Sequence, residues 1–191
     1  MEREFERQLV ARLKAGDAAA FEAVYEAYRP RLFSFLARLS RRRDVAEDLL
    51  DETWLRLVAC APRLSDDTCL AAWLFTVARN LHTSWRRHRA LDEDRIVDAP
   101  AVWPDPAPGQ SPFDAAARDE TERRLERALS SLPLRDREVL LMVTAGEMDA
   151  AGAAAALGLS PAALRKRVQR ARERLALAME PEGAAVRAKA G

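Results

Sequence analysis

Apolar residues recur along this chain at intervals of three and four, broken by short polar runs, and that interval predicts a chain built of helices. Phe21, Val24, Tyr25 and Tyr28 stand at i, i+3, i+4 and i+7, and Leu32, Phe35, Leu36 and Leu39 repeat the spacing after Pro30, so each set makes a stripe on one helical face. A further helix is predicted from near Asp44 to about Cys60, with Ala46, Leu49, Leu50, Thr53 and Leu57 facing a core and Pro62 stopping it. After a polar loop, Arg63 to Thr68, a helix from about Leu70 turns Trp73, Leu74, Val77, Ala78 and Leu81 inward. No strand-like alternation bounded by turn residues appears, so the predicted fold class is all-α.

The periodicity fails once. Pro100, Pro104, Pro106, Pro108 and Pro112, with Gly109, Gln110 and Ser111, make a stretch poor in amide donors that cannot continue a helix. It reads as a flexible linker over 91–116 between two helical domains, 1–90 and 117–180, with a small, Ala-rich tail over 181–191 read as disordered. In the second domain Leu125, Leu129 and Leu132 lead to Pro133, Val139, Leu140 and Val143 fall in the next helix, and Gly146 is placed to end it. A short helix from about Asp149 to Leu157, a turn at Gly158-Leu159, and Ser160-Pro161 opening a long last helix follow. Ser at an N-cap with Pro at the first helical position is a specific start signal, and two helices joined by a Gly-containing turn match a helix-turn-helix.

Composition narrows the class. There are 31 Lys plus Arg against 30 Asp plus Glu, a net charge of +1, with hydrophobic residues at 49%. That suits a folded globular chain rather than a wholly disordered one. No run approaches the roughly 20 apolar residues of a membrane span, and MEREFERQLVARLKAGD is too charged for a secretory leader, so a cytoplasmic protein without membrane insertion is expected. Cys60 and Cys69 are read as packed thiols, too few for a disulfide framework.

The near-zero net charge conceals sorting. Asp44, Glu47, Asp48, Asp51 and Glu52 form an acidic run without a base, and Arg79, Arg86, Arg87 and Arg89 a basic run without an acid. The linker is acidic again, with Asp92, Glu93, Asp94, Asp98 and Asp105. On the last helix Leu164, Val168, Ala171 and Leu175 form a buried stripe, while Arg165, Lys166, Arg167, Gln169, Arg170, Arg172 and Arg174 occupy the other sides. Arg can bond two acceptors on guanine and Gln two on adenine, which suits a helix lying in the major groove.

Together the two domains resemble the extracytoplasmic-function (ECF) type of RNA polymerase sigma factor, of the sigma-70 family. The resemblance is carried by Asp44-Val45-Ala46-Glu47-Asp48-Leu49-Leu50-Asp51-Glu52-Thr53-Trp54-Leu55, by Ala72-Trp73-Leu74-Phe75-Thr76-Val77-Ala78-Arg79-Asn80-Leu81 with Trp85-Arg86-Arg87, by Leu129-Ser130-Ser131-Leu132-Pro133 with Arg137-Glu138-Val139, by Leu157-Gly158-Leu159-Ser160, and by Arg167 to Leu175. It implies a sigma factor that binds core RNA polymerase and directs promoter-specific initiation. Glu47, Asp48, Asp51, Glu52, Trp54 and Leu55 would then dock on the coiled-coil clamp of the polymerase's largest subunit. On a helix, Glu47, Asp51, Trp54, Leu55 and Val58 fall opposite the core stripe and mix acids with apolar area, as interfaces do. Completing the domain's core is the alternative use of Trp54 and Leu55, and the two uses are compatible.

The resemblance further implies that Arg63, Leu64, Ser65, Asp66, Asp67 and Thr68 accept an extruded base of the −10 element. Arg79 and Asn80 would hold the adjacent non-template strand, and Trp85, Arg86 and Arg87 would contact nearby bases and phosphates. Extruding a base costs a few kcal/mol of stacking, so a pocket for it supplies both melting and specificity. Without the resemblance, the arginines at the end of that helix read as partners of its C-terminal dipole. Arg165, Lys166, Arg167, Gln169, Arg170 and Arg174 would read the −35 element, the linker would thread toward the polymerase's active-site channel and RNA exit path, and an anti-sigma factor is expected as a further partner.

Three departures from the family pattern stand out: Asp51 where Gln is usual, Ser84 where Asp is frequent, and Gly152-Ala153-Ala154 where Glu-Ile-Ala is usual. The last predicts looser packing behind the recognition helix, Gly costing up to about 1 kcal/mol relative to Ala in a helix. No catalytic residue, metal site or cofactor is implied: no Gly-rich phosphate loop is present, and His82 and His88 sit in a basic helix without ligand-spaced neighbours. The competing reading is a helix-turn-helix transcriptional regulator whose first domain is a helical sensor.

Overall fold

The computed structural model describes residues 2–91, 112–145 and 148–180, and among these there are helices and no strand. The first lobe contains α1 (Glu2–Lys14), α2 (Ala18–Ser40), α3 (Arg43–Cys60), a 3-10 turn (Ala61–Arg63) and α4 (Leu70–Leu91). The second contains α5 (Pro112–Ser131), α6 (Leu134–Ala145), α7 (Ala150–Leu157) and α8 (Pro161–Met179). Residues 92–111 of the expected linker, Gly146 and the tail over 181–191 lie outside the described residues. Helix α5 starts at Pro112, inside the stretch assigned to the linker, because proline's fixed φ and missing amide suit a first helical position. No helix among the described residues is long and apolar enough to cross a membrane.

Local signals set the helix ends. Asp17 Oδ1 accepts the Ala19 amide at 2.9 Å and opens α2, Asp149 Oδ1 accepts the Gly152 amide at 2.7 Å and opens α7, and Ser160 Oγ accepts the Ala163 amide at 3.2 Å and opens α8. Gly158 ends α7 in the left-handed region at φ +64°, where Leu159 returns its amide to Ala154 O at 2.8 Å. The stripes before and after Pro30 belong to one helix, α2, which continues through that proline with Val24, Leu32, Phe35, Leu36 and Leu39 all buried. Burial of a continuous apolar face outweighs the hydrogen bond that proline removes, roughly 3 kcal/mol in a helix interior.

The five residues expected to face the core from α3 are all buried. On α4 the inward set is shifted: Leu70, Ala71, Leu74, Phe75, Ala78 and His82 are buried, whereas Trp73, Val77 and Leu81 are half-buried. The thiols are not both packed. Cys60 is half-buried and Cys69 exposed, because Cys69 precedes the first turn of α4 and only its carbonyl joins the helix, accepting the Trp73 amide at 2.9 Å.

The two lobes share a core. Val139, Leu141, Met142, Ala153, Ala154, Leu157 and Leu164 of the second belong to the same buried cluster as the interior of the first, with α6 against α2 and α7 against α4. A smaller cluster, Leu129, Leu132, Leu140 and Ala171, joins α5, α6 and α8. Toward α4 the Gly152-Ala153-Ala154 run is closely packed, with Ala153 and Ala154 fully buried and a Cβ on Gly152 placed 3.9 Å from Ala72 Cβ, while toward α8 a cavity of about 420 Å³ lined by Val143, Met148, Ala150, Leu164 and Val168 lies behind the recognition helix, as the looser packing expected there requires. Small side chains let α7 approach α4 closely, so the missing apolar anchor is replaced by backbone proximity.

Candidate nucleic-acid interface

Three surfaces carry the residues singled out in the sequence. The first is the outer side of α3. Asp48, Asp51 and Leu55 are exposed, Leu55 by 65%, and Val58 extends the same side at 57%. Glu47 pairs with Arg43 at 2.8 Å and Glu52 with Arg56 at 2.7 Å, each one turn away. Trp54 does not belong to this surface. It is buried, 4.9 Å from the Tyr25 ring and edge-on to Phe21 at 6.1 Å, because α2 docks on that flank of α3 and buries the largest apolar side chain within reach.

The second surface is the loop after the 3-10 turn together with α4. Arg63, Ser65, Asp66 and Asp67 are exposed and Thr68 half-buried; Leu64 is buried and anchors the loop to the core. Thr68 donates its amide to Ser65 O at 3.0 Å, closing the loop on itself. Along α4, Asn80, Arg86 and Arg87 are exposed and Trp85 half-buried. Arg79 is not open: its side chain is 23% exposed, and its Nε donates to Glu138 Oε1 of α6 at 2.7 Å. The second lobe therefore covers part of the face that the family resemblance would give to single-stranded DNA.

Two further groups complete this seam. His82 is buried and stacks on Trp85 with ring centres 5.9 Å apart. Burial first, then the Arg86, Arg137 and Arg79 guanidiniums, pushes His82 down to about 4, so it is neutral at pH 7. Arg137 of α6 is likewise buried and pushed down to about 10 by burial, with Arg41 and Arg86 adding repulsion. Around them Arg38 pairs with Glu126 at 2.8 Å and Arg31 donates to Ala145 O at 2.7 Å. The sequence assigned His82 and Glu138 no role. For His82 a signal was available, since Ala71, Phe75, Ala78 and His82 stand at i, i+4, i+7 and i+11 on one buried stripe.

The third surface is α8. Leu164 and Ala171 are buried and Val168 and Leu175 half-buried, which turns Arg165, Lys166, Gln169, Arg170, Arg172 and Arg174 into solvent, with Arg167 half-buried. Gln169 Nε2 donates to Glu173 Oε1 at 3.0 Å, and Arg174 pairs with Asp136 of α6 at the base of the helix. The α7–turn–α8 unit holds a bare basic face against a supporting helix, the geometry by which a helix-turn-helix enters a major groove. Among the described residues no group of three or more His, Cys, Asp or Glu is arranged to hold a metal.

Residues 24–91 match the family profile of sigma-70 region 2, and residues 122–175 that of sigma-70 region 4. The ECF RNA polymerase sigma factor EcfG of Rhodopseudomonas palustris is 35% identical over 81% of this chain and 82% of its own. The probable RNA polymerase sigma factor RfaY of Xanthomonas campestris is 37% identical over 70% of this chain, and there the match spans 34% of the relative's length. Among solved structures, the sigma factor RpoE of Bartonella quintana in complex with the anti-sigma factor NepR superposes with a TM-score of 0.70 at 27% identity, covering 85% of this chain and 98% of that one. With both regions in order and a relative matched over most of its length, this chain belongs to the ECF sigma factors of the sigma-70 family, and its function is promoter-directed transcription initiation by RNA polymerase.

Proposed function

We propose that the three surfaces divide the work of initiation. The Asp48, Asp51, Leu55 and Val58 side of α3, with Glu47 and Glu52 beside it, binds core polymerase; acids interleaved with exposed aliphatic side chains suit a basic, partly apolar partner. The loop Arg63–Thr68 and the Asn80, Trp85, Arg86 and Arg87 side of α4 take the −10 strand, joined by Arg79 once its pair with Glu138 opens. Helix α8 reads the −35 element through Arg165, Lys166, Arg167, Gln169 and Arg170. In this reading residues 1–90 and 117–180 act as the −10 and −35 domains, the polymerase supplies all the chemistry, the protein itself is not a catalyst, and it works in the cytoplasm. The complex of RpoE with NepR supports the expectation of an anti-sigma partner for this chain as well.

The observation that carries this reading is the coexistence, on one chain, of a bare basic helix-turn-helix face and a separate acidic-aliphatic face. The direct test is run-off transcription by core polymerase with this protein over a randomised promoter library. Transcripts from a recoverable promoter class support the assignment. No transcripts above core alone, combined with tight DNA binding by the isolated protein, would move it to the regulator class.

A further inference from the structure

Helix α1 lies ahead of the residues matched by the region 2 profile, and none of the three surfaces uses it. One side is anchored: Val10 and Leu13 are buried in the core that also holds Ala61 and Leu64. From that anchored helix three polar side chains reach the segment 66–70. Arg7 Nη2 lies 2.6 Å from Asp67 Oδ1, Lys14 pairs with Asp66, and Glu6 Oε1 accepts the Leu70 amide at 2.8 Å. Arg7 and Lys14 are seven residues apart, two helical turns, so they share a face and meet successive acids. Glu6 satisfies one of the free amides at the start of α4.

Asp66 and Asp67, exposed by 77% and 73%, would place two adjacent negative charges where the proposed function brings a phosphate strand. Arg7 and Lys14 cancel them, and the hydrogen bond from Lys14 holds Asp66 below the usual carboxylate range. Ion pairs this exposed add little to global stability, so their consequence lies in the position and charge of the loop.

We propose that α1 is a positioning element for promoter-strand selection, with Glu6, Arg7 and Lys14 holding the loop 64–69 in the shape and neutral charge that admit a single-stranded −10 segment. This rests on the reading of that loop as the −10 contact. The test uses holoenzyme reconstituted from the full chain and core polymerase, titrated with a fluorescein-labelled single-stranded oligonucleotide carrying the non-template −10 sequence recovered from the promoter library. The double variant Arg7→Ala, Lys14→Ala should bind that strand about 3–10-fold more weakly at low salt, while its affinity for core polymerase and for duplex −35 DNA stays unchanged. The conservative double variant Arg7→Lys, Lys14→Arg should keep binding within about twofold of the wild type, because the charge and the tether to Asp67 and Asp66 both remain.

Wild-type strand affinity in the double alanine variant, or a loss in the conservative variant as large as in the alanine one, overturns the proposal. A third variant with residues 65–68 replaced by glycine separates a role of α1 from a role of the loop itself. If it alone loses strand binding, α1 has no positioning role; if it too binds as the wild type does, the loop is not the strand contact and the underlying reading falls with it.

Discussion

Two basic surfaces of this protein, the later half of α4 and the outer side of α8, are alike in composition and differ in what lies over them. Arg79 on α4 is three-quarters covered and paired with Glu138, and beside it His82 is buried and neutral. On α8, Arg165, Lys166, Arg170 and Arg172 stand in solvent. The difference lies in which side is covered: α4 packs on α2, α3 and α7 with Glu138 of α6 reaching over Arg79, whereas α8 packs on α5, α6 and α7 by the side opposite its basic face. A guanidinium on α8 can meet DNA as it stands, while Arg79 can hold a strand only after its pair with Glu138 is broken. The closed seam thus leaves the face proposed to read duplex DNA available and keeps part of the face proposed to take the strand covered.

Substitutions distinguish the two surfaces. The largest effect should come from Phe75→Ala, since Phe75 is fully buried beneath α4 with its ring edge-on to Phe35 at 5.2 Å; about 3–5 kcal/mol of unfolding stability should be lost in urea titration. A change under 1 kcal/mol would mean that α4 is not held by this core.

Next is pH. His82 has a folded-state value of about 4 against 6.5 when free, so the unfolded chain takes up the proton first as pH falls. Stability that is intact above pH 6.5 should decline between 6.5 and 4, by up to about 3 kcal/mol, and His82→Gln should lack that part of the slope. Identical profiles for the two proteins would remove His82 from the seam's energetics.

Glu138→Gln should weaken the closure over Arg79 by about 1.5–3 kcal/mol, seen as a larger radius of gyration in solution scattering and tighter binding of single-stranded DNA. An unchanged radius would show that the apolar seam alone holds the lobes together. Smallest in structural terms is Arg170→Ala: on an exposed face it should leave the melting temperature unchanged while costing about 1–3 kcal/mol at one position of the −35 element, measured by competition between duplexes.

Much of this was readable in the sequence. The Ser160-Pro161 start and the Gly158 turn of the helix-turn-helix depend on neighbours within a few residues, and the caps form as the residue types require. The core stripe of α3 follows from its spacing alone. Trp54 was harder, because its place on the helical wheel left both a surface and a core use open, and only the docking of α2 decided between them. Ala153 and Ala154 were harder for a related reason: small residues read only as a poor anchor for α8 until a second helix, α4, is seen to need the space.

By itself, then, the sequence determined an all-α chain, the turn and start of α8, the buried stripe of α3 and the basic face of α8, all properties written within a turn or two of each residue. Only the tertiary structure decided that Glu138 would cover Arg79 across 59 positions, that His82 would be buried neutral, and that Glu6, Arg7 and Lys14 would meet a loop more than 50 residues away. The physical reason is that apolar burial draws helices together without direction, so a stripe states that a face will be covered but not by what. Which charges then meet is settled by the angle and register at which the helices come to rest.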